Sequence, residues 1–305
     1  MSPDVAVARE GMDTHLFRPM YIAARKQYPA DVEDREIAGV PVSIVTPDSG
    51  ITSINQERIL INLHGGYFTV GAGFGGLVEA LPLASIMGCR VISIDYRLGP
   101  EHRFPAASED VAAVYRKLLN NYQPENIGIY GCSAGAILTA MSIAWFEKEQ
   151  LPLPGAIGLL SGGATPEFGG DSSYVGHAMM GGIVPSSIPN PPSMPMAYLE
   201  GADMSSPLVS PISDPGLLEK FPPALLMTGA RAFDLSSLIH THRCLIEAGA
   251  MAELQIWDGL WHCFFYDISL PESVQAIQQL ARFFDYHLGY SDMGAFEILN
   301  PLATQ

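Results

Sequence analysis

Residues 129–137 read IYGCSAGAI, and the role given to Ser133 decides what the rest of the chain must be. Gly131-Cys132-Ser133-Ala134-Gly135 is a G-x-S-x-G pattern. Chance supplies such a pattern readily in a chain rich in glycine and serine, so its flanks carry the argument. Upstream, NIGIYG (126–131) is a short apolar run with the length of a strand. Downstream, AGAILTAMSIAWFEKE (134–149) is a helix candidate that starts at once after the serine. A strand-turn-helix elbow of this kind holds its serine in a strained backbone conformation. It exposes the hydroxyl at the C-terminal edge of a sheet, beside a helix N-terminus. Gly131, Ala134 and Gly135 are the small residues the turn needs, and the Ala134 N–H is placed to face a developing oxyanion. Ser133 is therefore a candidate nucleophile.

The elbow belongs to a longer rhythm. From about residue 37, β-branched runs alternate with helical patterns: VSIVTP (42–47), RILINLH (58–64), RVISIDY (90–96), NIGIYG, AIGLLS (156–161), ALLMTG (224–229) and AELQIW (252–257). Helices are expected over 78–87, 107–121, 134–149, 236–248 and 271–287, where Ile277, Leu280, Ala281 and Phe284 fall at helical spacing. Several strands are apolar almost throughout, as strands buried on both faces must be. The pattern predicts an α/β fold with a mostly parallel sheet covered by helices. Two segments stand outside it. Residues 1–36 read as short helices without a strand partner. Residues 162–216, rich in Pro, Gly, Ser and Met, are too long for an ordinary connection and are expected to form a lid or binding element. A linker between two domains is the other reading of that insertion.

Composition narrows the function. Of 305 residues, 48% are hydrophobic and 16% charged, which fits a large core and excludes a charge-solvated disordered chain. A formal charge of −16 repels nucleic acid and anionic lipid at long range, so an uncharged small molecule is the expected partner. Cys89, Cys132, Cys244 and Cys263 show neither metal-ligand spacing nor a small-domain disulfide pattern, and are expected to be reduced thiols. The opening MSPDVAVAREGMD lacks a signal-like apolar core, and no run approaches 18 apolar residues. The expectation is a cytoplasmic protein without membrane insertion.

A second glycine-rich element follows a strand at LINLHGGYF (60–68), where His64-Gly65-Gly66-Tyr67 can turn backbone N–H groups toward a negative oxygen. It lacks the Lys-Ser/Thr of a P-loop and the third glycine of G-x-G-x-x-G, which argues against nucleotide binding.

Taken in order, HGGYF, IDYRLGPEHRFPAASEDV (94–111), GCSAGA, FPPALLMTGARAFD (221–234) and WDGLWHCFF (257–265) resemble the hormone-sensitive-lipase-like esterases, a branch of the α/β-hydrolases. The similarity runs over roughly residues 40–288. It implies one α/β-hydrolase domain over 1–305 with about eight strands, capped by 1–36 and the 162–216 insertion. It implies a serine carboxylester hydrolase needing no metal or other cofactor, with Ser133 as nucleophile, His262 as general base, and N–H groups of Gly65, Gly66, Tyr67 and Ala134 as the oxyanion hole. A small-molecule ester is the implied substrate, and a homodimer is left open.

The acid departs from the family pattern. Many relatives carry it directly after Gly-x-Arg, and here Gly229-Ala230-Arg231 is followed by Ala232. Asp234, two positions on and between Ser133 and His262 in chain order, is the candidate; Asp258 and Asp267 are alternatives, and a broken triad would fit a non-catalytic ligand receptor. Cys132 stands where relatives commonly have aspartate, and reads as a small core hydrophobe rather than a nucleophile. Tyr67 replaces a third glycine and narrows the site. Candidate pocket residues are Tyr67, Phe68, Tyr174, Met179, Met180, Tyr198 and Trp261. A lactonase, amidase or deacetylase on the same triad is the other enzymatic reading.

Overall fold

A computed structural model describes residues 3–179 and 196–289. The apolar runs form strands that pair into a single sheet: β1 Ala30–Ile37, β2 Val40–Pro47, β3 Ile59–Leu63, β4 Val91–Ile94, β5 Ile127–Cys132, β6 Ala156–Leu160, β7 Ala224–Gly229 and β8 Ala252–Trp257. Their order is β1-β2-β4-β3-β5-β6-β7-β8. The pairs β1–β2 and β2–β4 are antiparallel, and every pair from β4 to β8 is parallel. Every residue of β3, β4, β5, β6 and β7 is buried, as the continuous apolar runs require.

The helices are α1 Pro3–Met12, α2 Arg18–Gln27, α3 Phe74–Met87, α4 Ala106–Leu118, α5 Ala134–Lys148, α6 Asp171–Met179, α7 Pro215–Leu218, α8 Leu235–Glu247 and α9 Pro271–His287. One face of the sheet packs against α4, α5 and α8, and the other against α2, α3 and α9. On α9, Ile277, Leu280, Ala281 and Phe284 are buried as a single stripe. Burying one large apolar side chain contributes about 1.5–3 kcal/mol, so this stripe outweighs any propensity term in fixing the helix. Helix α5 lies tight against β3: a Cβ on Gly135 would sit 1.7 Å from the Leu63 carbonyl oxygen, which leaves room only for glycine.

The N-terminal segment does not stay helical to residue 36. Its helices, joined by a π-helical turn at Asp13–Phe17, end at Gln27, and Ala30–Ile37 is the edge strand β1. The sequence ADVEDREI hid this strand because an edge strand with a largely solvated face carries charges where interior strands carry Val and Ile. Of the 162–216 insertion, α6, 3₁₀ turns at Ala197–Leu199 and Pro211–Ser213 and the start of α7 are described. No described helix is long and apolar enough to cross a membrane.

Because β5 to β8 run parallel, their C-terminal ends share one edge of the sheet. Ser133 follows β5, Ser161 follows β6, Asp234 lies beyond β7 and His262 lies beyond β8.

Candidate active site

Ser133 occupies the elbow with φ 56° and ψ −117°, a conformation that L-residues adopt only when their surroundings enforce it. Its N–H donates to the Leu160 carbonyl at 2.8 Å, and its own carbonyl accepts from Ala136 and Ile137 in the first turn of α5. The hydroxyl is thereby turned out of the sheet toward His262, with Oγ 3.0 Å from Nε2.

The opposite ring nitrogen faces a carboxylate. His262 Nδ1 lies 2.6 Å from Asp234 Oδ1, and Asp234 is fully buried. The chain reaches this point because Ala230 and Arg231 donate to the Trp257 and Leu260 carbonyls, carrying the segment along β8 before it turns. The turn then closes through the Ala232 N–H to Gly229. Ala232 is buried in that turn, and the carboxylate falls two residues later, at the start of α8. Asp258 is exposed, and Asp267 is engaged with Ser269 N and Oγ, so neither alternative acid orients the histidine. Phe233 packs its ring on His262 with centroids 4.3 Å apart.

Two residues that the sequence reading missed, Thr228 and Ser161, knit the strand ends together. Thr228 Oγ1 donates to Asp234 Oδ2 at 2.7 Å, Ser161 Oγ lies 3.4 Å from Thr228 Oγ1, and Cys263 N donates to Ser161 Oγ at 3.0 Å. A polar chain thus runs beneath the histidine from the acid to the residue after His262. Its signal was a threonine and a serine at the ends of otherwise apolar strands.

Of the four expected oxyanion donors, one is otherwise employed. The Gly65 N–H donates to the Glu79 carboxylate at 2.9 Å, so Gly65 shapes the loop and does not face the site. Among the described residues, the Gly66, Tyr67 and Ala134 N–H groups have no protein acceptor. Gly66 has φ +116°, and a Cβ there would meet the Val70 carbonyl oxygen at 2.2 Å, so the loop cannot form with another residue at this point.

Glu79 is a further missed residue of consequence, a lone acid in the apolar run LVEALP. Burial pushes its carboxyl up to about 7, against the hydrogen bonds it accepts from the Tyr266 hydroxyl at 2.5 Å, Gly65 N and Asn62 Nδ2 at 2.8 Å. His64 is also fully buried, which lowers its pKa; its Nδ1 lies 2.7 Å from the Gly65 carbonyl and its ring stacks on Tyr96. It braces the glycine loop. Burial, and then the nearby Asp234 charge, push the Tyr67 phenol up to about 12.

A cavity of about 640 Å³ opens onto Ser133 and His262. Its walls are Met12, Leu16, Phe17 and Met20 from the N-terminal helices, with Tyr67, Trp261 and Ile268. Of the candidate pocket residues, Tyr67 and Trp261 line this cavity. Phe68 and Tyr198 do not: both are buried and stacked on each other at 4.7 Å, and the Tyr198 hydroxyl accepts from the Ala107 N–H. An aromatic pair joining the insertion to the sheet edge is invisible in sequence spacing. Tyr174 lies on α6 and is not among the cavity residues; Met179 ends α6, and Met180 lies outside the described residues. Among the described residues, the apolar wall thus comes from the N-terminal helices and from the loops at Tyr67, Trp261 and Ile268.

The cysteines also depart from expectation. Cys89 and Cys244 are free, whereas Cys132 and Cys263, 131 residues apart, form a disulfide. Spacing gave no sign of it because only the folded sheet edge brings the elbow and the histidine loop together. Among the described residues, no group of three or more His, Cys, Asp or Glu side chains is arranged to hold a metal ion.

A family model for the alpha/beta hydrolase fold matches residues 60–266. An acetyl-hydrolase of Streptomyces hygroscopicus is 29% identical over 228 residues, 74% of this chain and 75% of its own length. An esterase of known structure is 32% identical, with a TM-score of 0.80 over 92% of this chain and 85% of that one. An esterase of the bacterial hormone-sensitive lipase family is 30% identical, with a TM-score of 0.77 over 89% of this chain and 90% of the other.

Proposed function

The chain belongs to the alpha/beta hydrolase fold family, in its bacterial hormone-sensitive lipase branch, and from this premise we propose that it is a serine carboxylester hydrolase acting through Ser133. The observation that carries the reading is the row Ser133 Oγ, His262, Asp234, joined at 3.0 and 2.6 Å at the mouth of an apolar cavity. His262 Nε2 takes the Ser133 proton as Oγ attacks the ester carbonyl, and Asp234 holds the ring through the Nδ1–H. The N–H groups of Gly66, Tyr67 and Ala134 receive the oxyanion. His262 then returns the proton to the leaving alcohol, and water, activated by the same ring, releases the acid from the acyl-enzyme.

The substrate class is uncharged esters with short to medium chains. A cavity of about 640 Å³ is in the range that holds small ligands, and its walls offer Met, Leu and Phe side chains. The segment before β1 and the 162–216 insertion serve as the cap over this site. One chain is the catalytic unit, and no step requires a homodimer; the cytosol is its proposed compartment.

The test is hydrolysis of p-nitrophenyl acetate by the wild type and by Ser133→Ala. Turnover abolished in the variant is expected, and equal rates would end the esterase reading. A chain-length series of p-nitrophenyl esters on the wild type then measures acyl preference.

A further inference from the structure

The catalytic strands are not neighbours. β5, which carries Ser133, is separated from β8, which leads to His262, by β6 and β7. No backbone pairing therefore sets the distance between the two reacting side chains. After β8 ends at Trp257, the histidine loop is tied down by Arg231 N to the Leu260 carbonyl and by Cys263 N to Ser161 Oγ. Trp261, next to the histidine, is 42% exposed. One link does connect the two reacting segments directly. The disulfide joins Cys132, the residue before Ser133, to Cys263, the residue after His262. Two positive-φ positions lie at its ends, Ser133 at φ 56° next to Cys132 and Cys263 itself at φ 53°, a conformation that persists only where the surroundings enforce it.

We propose that the Cys132–Cys263 disulfide is a positioning clamp for the Ser133–His262 pair, so that hydrolysis requires the oxidised form and is lost reversibly on reduction. This rests on the esterase reading above. Proton transfer from Oγ to Nε2 depends on their 3.0 Å separation, and a misplacement of about 1 Å in a reacting pair costs about 10²-fold in rate. Cys263 borders the substrate cavity, whereas Cys132 is fully buried beneath the elbow. A dithiol entering the cavity would thus attack the Cys263 sulfur first, forming a mixed disulfide and releasing the Cys132 thiolate, which takes a proton. The second thiol of the reductant then displaces Cys263 as a thiol and closes the reductant's own disulfide. Two electrons and two protons pass to the protein. In a reducing compartment such a bond is transient, and the clamp reports the redox state as turnover.

The experiment uses the full chain, air-oxidised, reduced with dithiothreitol and freed of it by gel filtration, and then reoxidised. Thiol titration in denaturant should find two thiols in the oxidised form and four in the reduced form, given four cysteines in all. With p-nitrophenyl acetate well below the melting temperature of either form, reduction should lower kcat at least tenfold. KM should stay within about twofold, and reoxidation should restore kcat. Inactivation by an organophosphorus ester, which needs the same serine and histidine, should slow in parallel. The Cys132→Ala/Cys263→Ala variant should match the reduced enzyme and ignore dithiothreitol. Four thiols in the oxidised preparation, or a reduced form with a lower melting temperature but unchanged kcat, overturns the clamp alone. No Ser133-dependent hydrolysis in any form overturns the esterase reading and the clamp with it.

Discussion

Thr228 Oγ1 donates to Asp234 Oδ2, the carboxylate oxygen opposite the one that faces His262. The two hydrogen bonds pin the carboxylate plane, and Thr228 sits on the rigid strand β7, whereas Asp234 begins the loop-fed helix α8. Replacing the hydroxyl with a methyl keeps the volume and removes the donor. A hydrogen bond to a charged group contributes about 1.5–3 kcal/mol, of which part will be felt in the transition state. Thr228→Val is expected to lower kcat about tenfold with KM nearly unchanged. An unchanged kcat in steady-state assays would show that the carboxylate is oriented without it.

The acid itself should matter more. Asp234→Asn is expected to reduce kcat by about 10²-fold or more, because the histidine loses the partner that fixes its tautomer and stabilises its protonated form. Asp258→Asn should leave kcat within about twofold, since Asp258 is exposed and the His262 Nδ1 is already held by Asp234. Comparing the two variants on one ester decides the assignment; the reverse order would move the acid.

Met20 lines the apolar cavity from α2 and is only partly buried, so a larger side chain there can grow into the open space. Met20→Trp should lower kcat/KM for p-nitrophenyl octanoate about tenfold or more while changing the acetate value little. An equal loss on both esters would mean that the N-terminal helices do not set chain length.

Glu79 makes stability depend on pH in a definite direction. Its carboxyl rises from 4.5 to about 7 on folding, so between these values the folded chain binds the proton that the unfolded chain has lost. Stability therefore falls as pH rises through that window, by roughly 3 kcal/mol for a shift of this size, and is level above it as far as this group is concerned. Glu79→Gln cannot ionise and should flatten the slope. Urea midpoints at pH 5 and pH 8 for both proteins make the comparison, and an unaltered pH slope in the variant would assign it to other groups.

Much of the architecture was written as hydrophobic period. The interior strands and α9 appeared at nearly their final bounds because burial on two faces or one stripe leaves a pattern local to each segment. Ser133 and His262 were legible for a related reason: each sits at the end of such a segment in a short, chemically restricted loop. What depended on distant pairing was not legible. The disulfide, the Gly65–Glu79 hydrogen bond and the stacking of Phe68 on Tyr198 each join residues whose proximity arises only when the sheet is assembled. Asp234 lay between these extremes. Its chain order was readable, but its reach past Ala232 required the hydrogen bonds that carry the loop along β8. The edge strand β1 was missed because solvation, not burial, governs its composition.

The bond between Cys132 and Cys263 also makes a covalent ring of everything between them, including α5, β6, β7, α8 and the whole 162–216 insertion. A protease that cuts the main chain once anywhere inside that ring leaves two polypeptides that still travel as a single molecule, with the serine's fragment and the histidine's fragment fastened at the point where they react. Such a nicked chain would run as one species on a non-reducing gel and as two on a reducing one.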